Sequence, residues 1–467
     1  MEPARHVFKH LRDINRGHVP AHKDFQTVLR EVKQVRKILI RAGMRPTDNC
    51  DYIDMIRKNR VGSNIGNLVY QYSVCKTLMT TEDTEIVPTD YRYHFSSEEI
   101  DEFNKSFDCF VIPLADAFRK DFVREMRGMT KLIQALTIPC YVIGAGIKAP
   151  IGISGADALT FDFDEDAKAF VSAVLDHSAL VGLRGQLTGD YLKNLGFVPE
   201  KDFTVIGCPS MYLNEEIKIS GKIPTPDSDI AFNLSPEAGE EYTAFVKENA
   251  RRFKSAVYIP QNVDDLKLMY AGAARGKRAE GFPVNINDPV FTDDLARFPD
   301  SFSSWNKLLK EKDFSFGTRL HGNIMGVLAG IPSLHIPSDL RTTEVVEYHS
   351  LTHVKIEEAR KSRDIFDLIA KADFHSPERA QKHNFEHYLD FLNANGIRHI
   401  YLPGERRDIL DRQVGRIKFR EPLRPLCCEQ PGEIVRRSSV YSTYANNRIK
   451  EMAKAKAKPV KDPAKAT

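Results

Sequence analysis

Residues 313–339 read DFSFGTRLHGNIMGVLAGIPSLHIPSD. DFSF is a short strand, NIMGVLAG has helical character, and IPSLHIPSD returns to a strand. Between the first strand and the helix lies Gly317-Thr318-Arg319-Leu320-His321-Gly322. Strand, loop, helix and strand in this order form a unit of a parallel sheet. Arg319 and His321 then fall at the carboxyl end of a strand, where open α/β sheets form their ligand crevices.

The same alternation extends upstream. DIAFNLS and SAVYIPQN are strands, separated by the helical EEYTAFVKENARRF and followed by the helical LKLMYAGAARG. The polar stretch 214–229, NEEIKISGKIPTPDSD, reads as an interdomain boundary. Before it, NIGNLVYQYSVCKTLM is a glycine turn and a helix, with strands expected at Cys109–Ile112, Pro139–Ile143, Leu180–Leu183 and within FTVIGCPSMYL. The fold class is therefore α/β, with two Rossmann-like domains at 46–220 and 221–358. Residues 1–45 are expected as a helical extension, because Val28, Val32, Val35 and Ile38 repeat at helical spacing toward Gly43. Residues 359–400 read as helices, the second crossing back toward the first domain, and 401–467 as an irregular segment with a flexible basic tail.

Composition narrows the class. The 467 residues exceed one typical core, and a net charge of +3 gives no general reason to bind nucleic acid. Seven cysteines, mostly isolated in apolar surroundings, fit a reducing compartment. The N-terminus lacks a secretory h-region and no apolar run is long enough to span a bilayer, so a cytoplasmic location is expected, with peripheral membrane contact left open. No metal-ligand spacing or Walker loop occurs, and no cofactor is expected.

The chemistry concentrates on a few residues. Arg319 offers a fixed cationic fork for phosphate or carboxylate, and His321 titrates near neutrality. Gly322 permits close backbone approach. The alternative is that Arg319 and His321 merely satisfy loop carbonyls. Asn64, Gly66 and Asn67 form a candidate polar-ligand turn, and Gly144 and Gly146 follow another strand. Asp339 and Arg341 lie in a loop that can reach the same crevice, and Glu344 could orient a sugar hydroxyl. His335 reads as a core or cleft-wall residue. Cys208 has no histidine near it in sequence and is a weak nucleophile candidate.

Three segments in order resemble the polysaccharide pyruvyl transferase family. RLHG followed by Gly330-Ile331-Pro332 resembles its C-terminal signature. NIGNLVYQYSVCKTL resembles its opening turn and helix, and VGLRGQLTGDYLKNLG its central arginine element. The resemblance spans roughly residues 60 to 350 and implies a GT-B-like pair of domains facing a cleft. It implies phosphoenolpyruvate as donor, a sugar or glycan as acceptor, and a cyclic ketal as product. Arg184 and Arg319 would then grip the donor from opposite domains, with His321 giving a proton or steadying the departing phosphate. The chain departs from the family at Asn67, where many members have Asp, and at Gly207-Cys208-Pro209-Ser210, where an Asp-Pro is common. The rival readings are a glycosyltransferase using a nucleotide sugar and a noncatalytic glycan-binding or assembly protein.

Overall fold

A computed structural model describes residues 37–148 and 159–457. In the first domain β1 (Lys37–Ile40), β2 (Glu85–Pro88), β3 (Cys109–Pro113) and β5 (Cys140–Ile143) form a parallel sheet in the order β2-β1-β3-β5. All five residues of β3 are buried, as expected of a parallel strand covered by helices on both faces. Short strands β4 (Asp116–Phe118) and β6 (Gly146–Ile147) pair beyond this sheet. β7 (Val181–Leu183) and β8 (Phe203–Val205) pair with each other. They continue the layer, because Gly144 N and Ala145 N donate to Gly182 O at 2.9 and 3.0 Å.

The second domain repeats the plan with β9 (Asp229–Asn233), β10 (Ser255–Tyr258), β11 (Phe314–Gly317) and β12 (Ser333–His335), parallel in the order β10-β9-β11-β12. In each sheet the chain steps to one side of its first strand and then to the other. This places topological switch points between β1 and β3 and between β9 and β11, where crevices open at strand carboxyl ends. The architecture is GT-B-like: two Rossmann-like domains with parallel sheets facing an interdomain cleft.

Six helices frame the cleft or tie the two domains: α1 (Gly66–Leu78), α2 (Gln186–Asn194), α3 (Leu320–Ala329), α4 (Leu340–Tyr348), α5 (Ser376–Ala394) and α6 (Pro431–Ala457). α5 does return to the first domain. Gln381 Nε2 donates to Met211 O at 2.8 Å, and beyond its end Asn395 Oδ1 accepts from Ala179 N and Leu180 N, each at 3.0 Å.

Two sequence expectations need correction. The helix expected to end near Gly43 does not include Lys37–Ile40, which is an inner strand of the first sheet. Ile38 and Ile40 are buried, and pairing on both edges overrides a helical spacing carried by four residues. Val28, Val32 and Val35 lie outside the described residues. The stretch 401–467 is not irregular throughout, because α6 occupies much of it. Pro431 stands at the start of α6, Arg437 pairs with Glu433 at 2.7 Å one turn on, and Val440, Tyr441 and Tyr444 pack on the core. The residues after 457 lie outside the described part. No described helix is long and apolar enough to cross a membrane.

Candidate active site

The turn from β11 into α3 is fixed by a buried polar staple. Gly317 has φ +143°, and a Cβ there would lie 2.1 Å from Asn233 O, so only glycine fits. Asn233 ends β9; its Oδ1 accepts from Arg319 N at 2.7 Å and its Nδ2 donates to Asn323 Oδ1 at 2.9 Å. Asn323 closes the loop by donating to Gly317 O at 2.9 Å. A Cβ at Gly322 would stand 2.6 Å from Asn233 Nδ2, so this glycine keeps the turn close to the staple. No side chain caps α3, and its first N–H groups project a positive field at the switch point. Arg319 is buried there; Nη2 donates to Asn262 Oδ1, and Nη1 is 3.9 Å from the exposed carboxylate of Glu237.

The first domain brings Arg184 to the same region, directly after β7. It is 1% exposed, donates from Nε to Gly144 O at 3.0 Å, and lies 5.8 Å from the Tyr70 ring centre. It makes no pair with Asp190, which instead accepts from Gln186 at 3.0 Å. α1 meets α3 head to head: a Cβ at Gly66 would be 2.8 Å from His321 Nδ1, and the Tyr70 and His321 ring centres are 5.9 Å apart. The two domains are stitched beneath them, where Ile65 N donates to Gln261 O at 2.9 Å and Val263 N to Ser63 O at 3.0 Å.

Several predicted residues have structural tasks here. Asn64, opposite Asn262 in an antiparallel bridge, accepts from Gly66 N at 2.7 Å. Asn67 spends its amide on Val61 O and Gly62 O and accepts from Tyr70 OH at 2.9 Å. Gly144 has φ +78° and lies tightly against Pro209. Asp339 caps α4, accepting from Thr342 N at 2.7 Å, and also holds Arg341 at 3.0 Å. His335 is buried, its Nε2 3.3 Å from Leu320 O.

Arg341 takes a larger part than its sequence setting suggests. It donates across the cleft to Asp116 Oδ2 at 2.9 Å. Burial opposes ionisation of Asp116, yet Arg341, Arg119 and Arg184 together hold its carboxyl well below the usual range. The buried donor atoms without a partner among the described residues include Arg184 Nη2, Arg319 Nε, Arg341 Nε and Gln261 Nε2 in this region. Buried orphan donors are costly, and an anion would satisfy them. His321 sits amid this charge; burial, then Arg184, Arg341 and Arg319, hold its pKa well below the ordinary histidine value. Its imidazole is therefore neutral at rest. Folding also supplies Cys208 with the histidines its sequence context lacked. His321 Nε2 is 3.8 Å from the Cys208 sulfur, and the Cys208 backbone N–H donates to His349 Nε2 at 2.8 Å. Among the described residues, no group of three His, Cys, Asp or Glu side chains is placed to hold a metal ion.

A family model described as polysaccharide pyruvyl transferase matches residues 29–339, taking in both switch points and the RLHG turn. The chain belongs to the polysaccharide pyruvyl transferase family. That family is enzymatic, so the protein is a transferase, and its span here carries Arg184, Arg319 and His321 but stops before Arg341 and Glu344. A search of curated proteins finds no match to this pyruvyl transferase family chain. Among solved structures it is similar to a UDP-GlcNAc 2-epimerase from Methanocaldococcus jannaschii in complex with UDP-GlcNAc and UDP. The identity is 12% and the TM-score 0.41, over 76% of this chain and 98% of that one. A putative UDP-N-acetylglucosamine 2-epimerase from Listeria monocytogenes is similar at 10% identity and TM-score 0.40, over 76% and 95% of the two chains. The wall teichoic acid polymerase TagF is similar at 10% identity and TM-score 0.32, over 89% and 98%.

Proposed function

We propose that the protein transfers the pyruvyl group of phosphoenolpyruvate to two hydroxyls of one sugar in a polysaccharide or glycan precursor, forming a cyclic ketal and releasing phosphate. The observation that carries this reading is that three guanidinium groups, Arg184, Arg319 and Arg341, each with a buried donor atom left unpaired, all act electrostatically on His321. A small donor with both a phosphate and a carboxylate matches such a set, because each anionic group can take charge-assisted hydrogen bonds from the unpaired donors.

The methylene carbon of the donor gains a proton, and its central carbon becomes electron-poor. One sugar hydroxyl adds there and loses its proton. The bond from that carbon to the phosphorus-bearing oxygen breaks, and phosphate leaves with the electron pair. A second hydroxyl adds, loses its proton, and closes the ketal with a new methyl group. His321 serves as the proton-transfer group. Burial, reinforced by the three neighbouring cations, keeps it neutral at rest; a multiply charged anion bound among those cations offsets their field and raises its proton affinity. The arginines thus couple donor binding to arming of the imidazole.

Seven free thiols fit a reducing compartment, which supports a cytoplasmic setting for the reaction. Incubation with phosphoenolpyruvate and a panel of glycan acceptors tests the assignment, with phosphate release and the ketal methyl group followed by NMR and mass. Formation of a pyruvyl ketal is the expected result. No phosphate from phosphoenolpyruvate with any acceptor, alongside turnover of a nucleotide sugar, would overturn it.

A further inference from the structure

The glycines flanking Arg184 single out one more side chain. Gly185 has φ −170° and ψ 174°, extended backbone that any residue can adopt. Conformation therefore does not demand a glycine there, but space does. A Cβ on Gly185 would lie 2.6 Å from Cβ, 2.6 Å from Oε2 and 2.7 Å from Cγ of Glu344, a residue of the opposite domain. A Cβ on Gly146 would lie 3.3 Å from Glu344 Oε1 and 3.3 Å from Arg184 Cδ. Two glycines of the first domain thus make room for one carboxyl arriving from the second.

The carboxyl is also held by hydrogen bonds. Thr188 N donates to Oε2 at 3.1 Å and Thr188 Oγ1 to Oε1 at 3.0 Å. Thr188 lies in the first turn of α2, whose N-cap position is Gly185 and has no side chain to cap it. Glu344 supplies that cap from across the cleft. It is 6% exposed and forms no ion pair among the described residues. The charged groups that face it are Arg184 on the loop after β7 and Arg341 on its own helix. Such a contact can exist only while the cleft is shut.

We infer that Glu344 is a positioning residue, the plug of an interdomain latch whose socket is Gly146, Gly185 and Thr188, and that its seating holds Arg184 opposite Arg319 for the transfer reaction. This rests on the cleft being the transfer site. Burial pushes the carboxyl up to about 7, so the plug can enter its socket with little charge to desolvate.

Four forms of the full chain test this: Glu344→Ala, Gly185→Ala, the two combined, and Glu344→Gln. Small-angle X-ray scattering without any donor should find wild type and Glu344→Gln compact, and Glu344→Ala and Gly185→Ala more extended. Gly185→Ala should add nothing in the Glu344→Ala background, since Cγ and the carboxyl are gone and the opened cleft no longer presses the remaining Cβ of residue 344 against it. With phosphoenolpyruvate, KM for the donor should rise about tenfold or more in Glu344→Ala and Gly185→Ala, and Glu344→Gln should stay within about threefold of wild type. A merely local cap would not move the overall dimensions. Identical scattering from wild type and Glu344→Ala, or additive effects of the two substitutions, would overturn the latch. The scattering arm needs no donor, so a wild type inert toward phosphoenolpyruvate but opened by Glu344→Ala overturns the donor assignment alone.

Discussion

Arg341 of the second domain donates to Asp116 of the first at 2.9 Å, while its Nη2 holds Asp339 at 3.0 Å on its own side of the cleft. One guanidinium therefore ties the domains together and presents an unpaired Nε to the same region as Arg184 and Arg319. In the proposed reaction, charge that closes the cleft also receives the donor. The two functions share residues because an interdomain site exists only when its halves meet.

Asp116→Asn should weaken the fold. Removing one member of a buried pair costs about 3–5 kcal/mol, and partial exposure of both side chains reduces that to about 2 kcal/mol here. Urea unfolding at pH 7 measures the difference. The sign with pH follows from a folded-state carboxyl held well below its ordinary range by Arg341, Arg119 and Arg184 against burial. Its contribution is full above the unfolded value of about 3.9 and is lost as pH falls below it. The gap between wild type and Asp116→Asn should accordingly shrink as pH falls below about 4. Equal stability at pH 7 would show that the pair contributes nothing.

Arg319→Ala should reduce kcat/KM for phosphoenolpyruvate by about 10²–10³, the scale for losing a preorganised charge donor in a dry site. Arg319→Lys should recover only part, because an ammonium cannot reproduce the planar fork. His321→Ala should lower kcat with a smaller change in donor affinity, since the imidazole moves a proton while the arginines bind. Phosphate-release kinetics and calorimetric donor binding separate these effects, and circular dichroism confirms folding. Full turnover in both alanine variants would remove both roles.

The sequence makes the strand–turn–helix around Arg319 and His321 legible because Gly317, Gly322 and Gly330 punctuate two short apolar segments. It also marks Arg184 after a strand. It hides the partners that give these residues meaning. Asp116 and Arg341 are far apart in the chain, and only domain closure joins them. The histidines beside Cys208 come from α3 and from the end of α4. β1 is hidden for another reason: KILI carries an apolar run of three residues, and such short runs do not distinguish strand from helix without their sheet neighbours. Asn67 shows the converse, since a residue with a polar side chain in a suggestive turn spends it on the turn itself.

Gly317→Ala should be strongly destabilising. The backbone at φ +143° is strained for any L side chain, and a Cβ would meet Asn233 O at 2.1 Å. Relief would require moving β9 or breaking the Asn233–Asn323 staple. The expected cost is about 3 kcal/mol or more, which for a domain of this size lowers Tm by roughly 6–12 °C. Differential scanning calorimetry checks it. A Tm within about 1 °C of wild type would mean that the turn is looser than the staple implies.

Buried titratable groups give two opposite pH signatures. Burial pushes the His349 imidazole down to about 3, with Arg184 adding to the effect. Between that value and about 6.5 the unfolded chain binds a proton that the folded chain does not, so this group makes stability rise with pH. Glu344 works the other way. Burial raises it to about 7, so the folded chain keeps a proton that the unfolded chain loses above about 4.3, and stability falls as pH rises through that window. Near pH 5.5 His349→Gln should therefore reduce proton uptake on unfolding by about one, and Glu344→Gln should increase it by about one. Each corresponds to a change of about 1.4 kcal/mol per pH unit in the slope of unfolding free energy against pH, read from urea titrations at closely spaced pH values. The amide introduced by His349→Gln can still accept from Cys208 N–H, and the one introduced by Glu344→Gln from Thr188 N–H, so the slope changes report protons rather than lost contacts. Slopes that shift in the same direction for both variants would contradict the burial assigned to one of them.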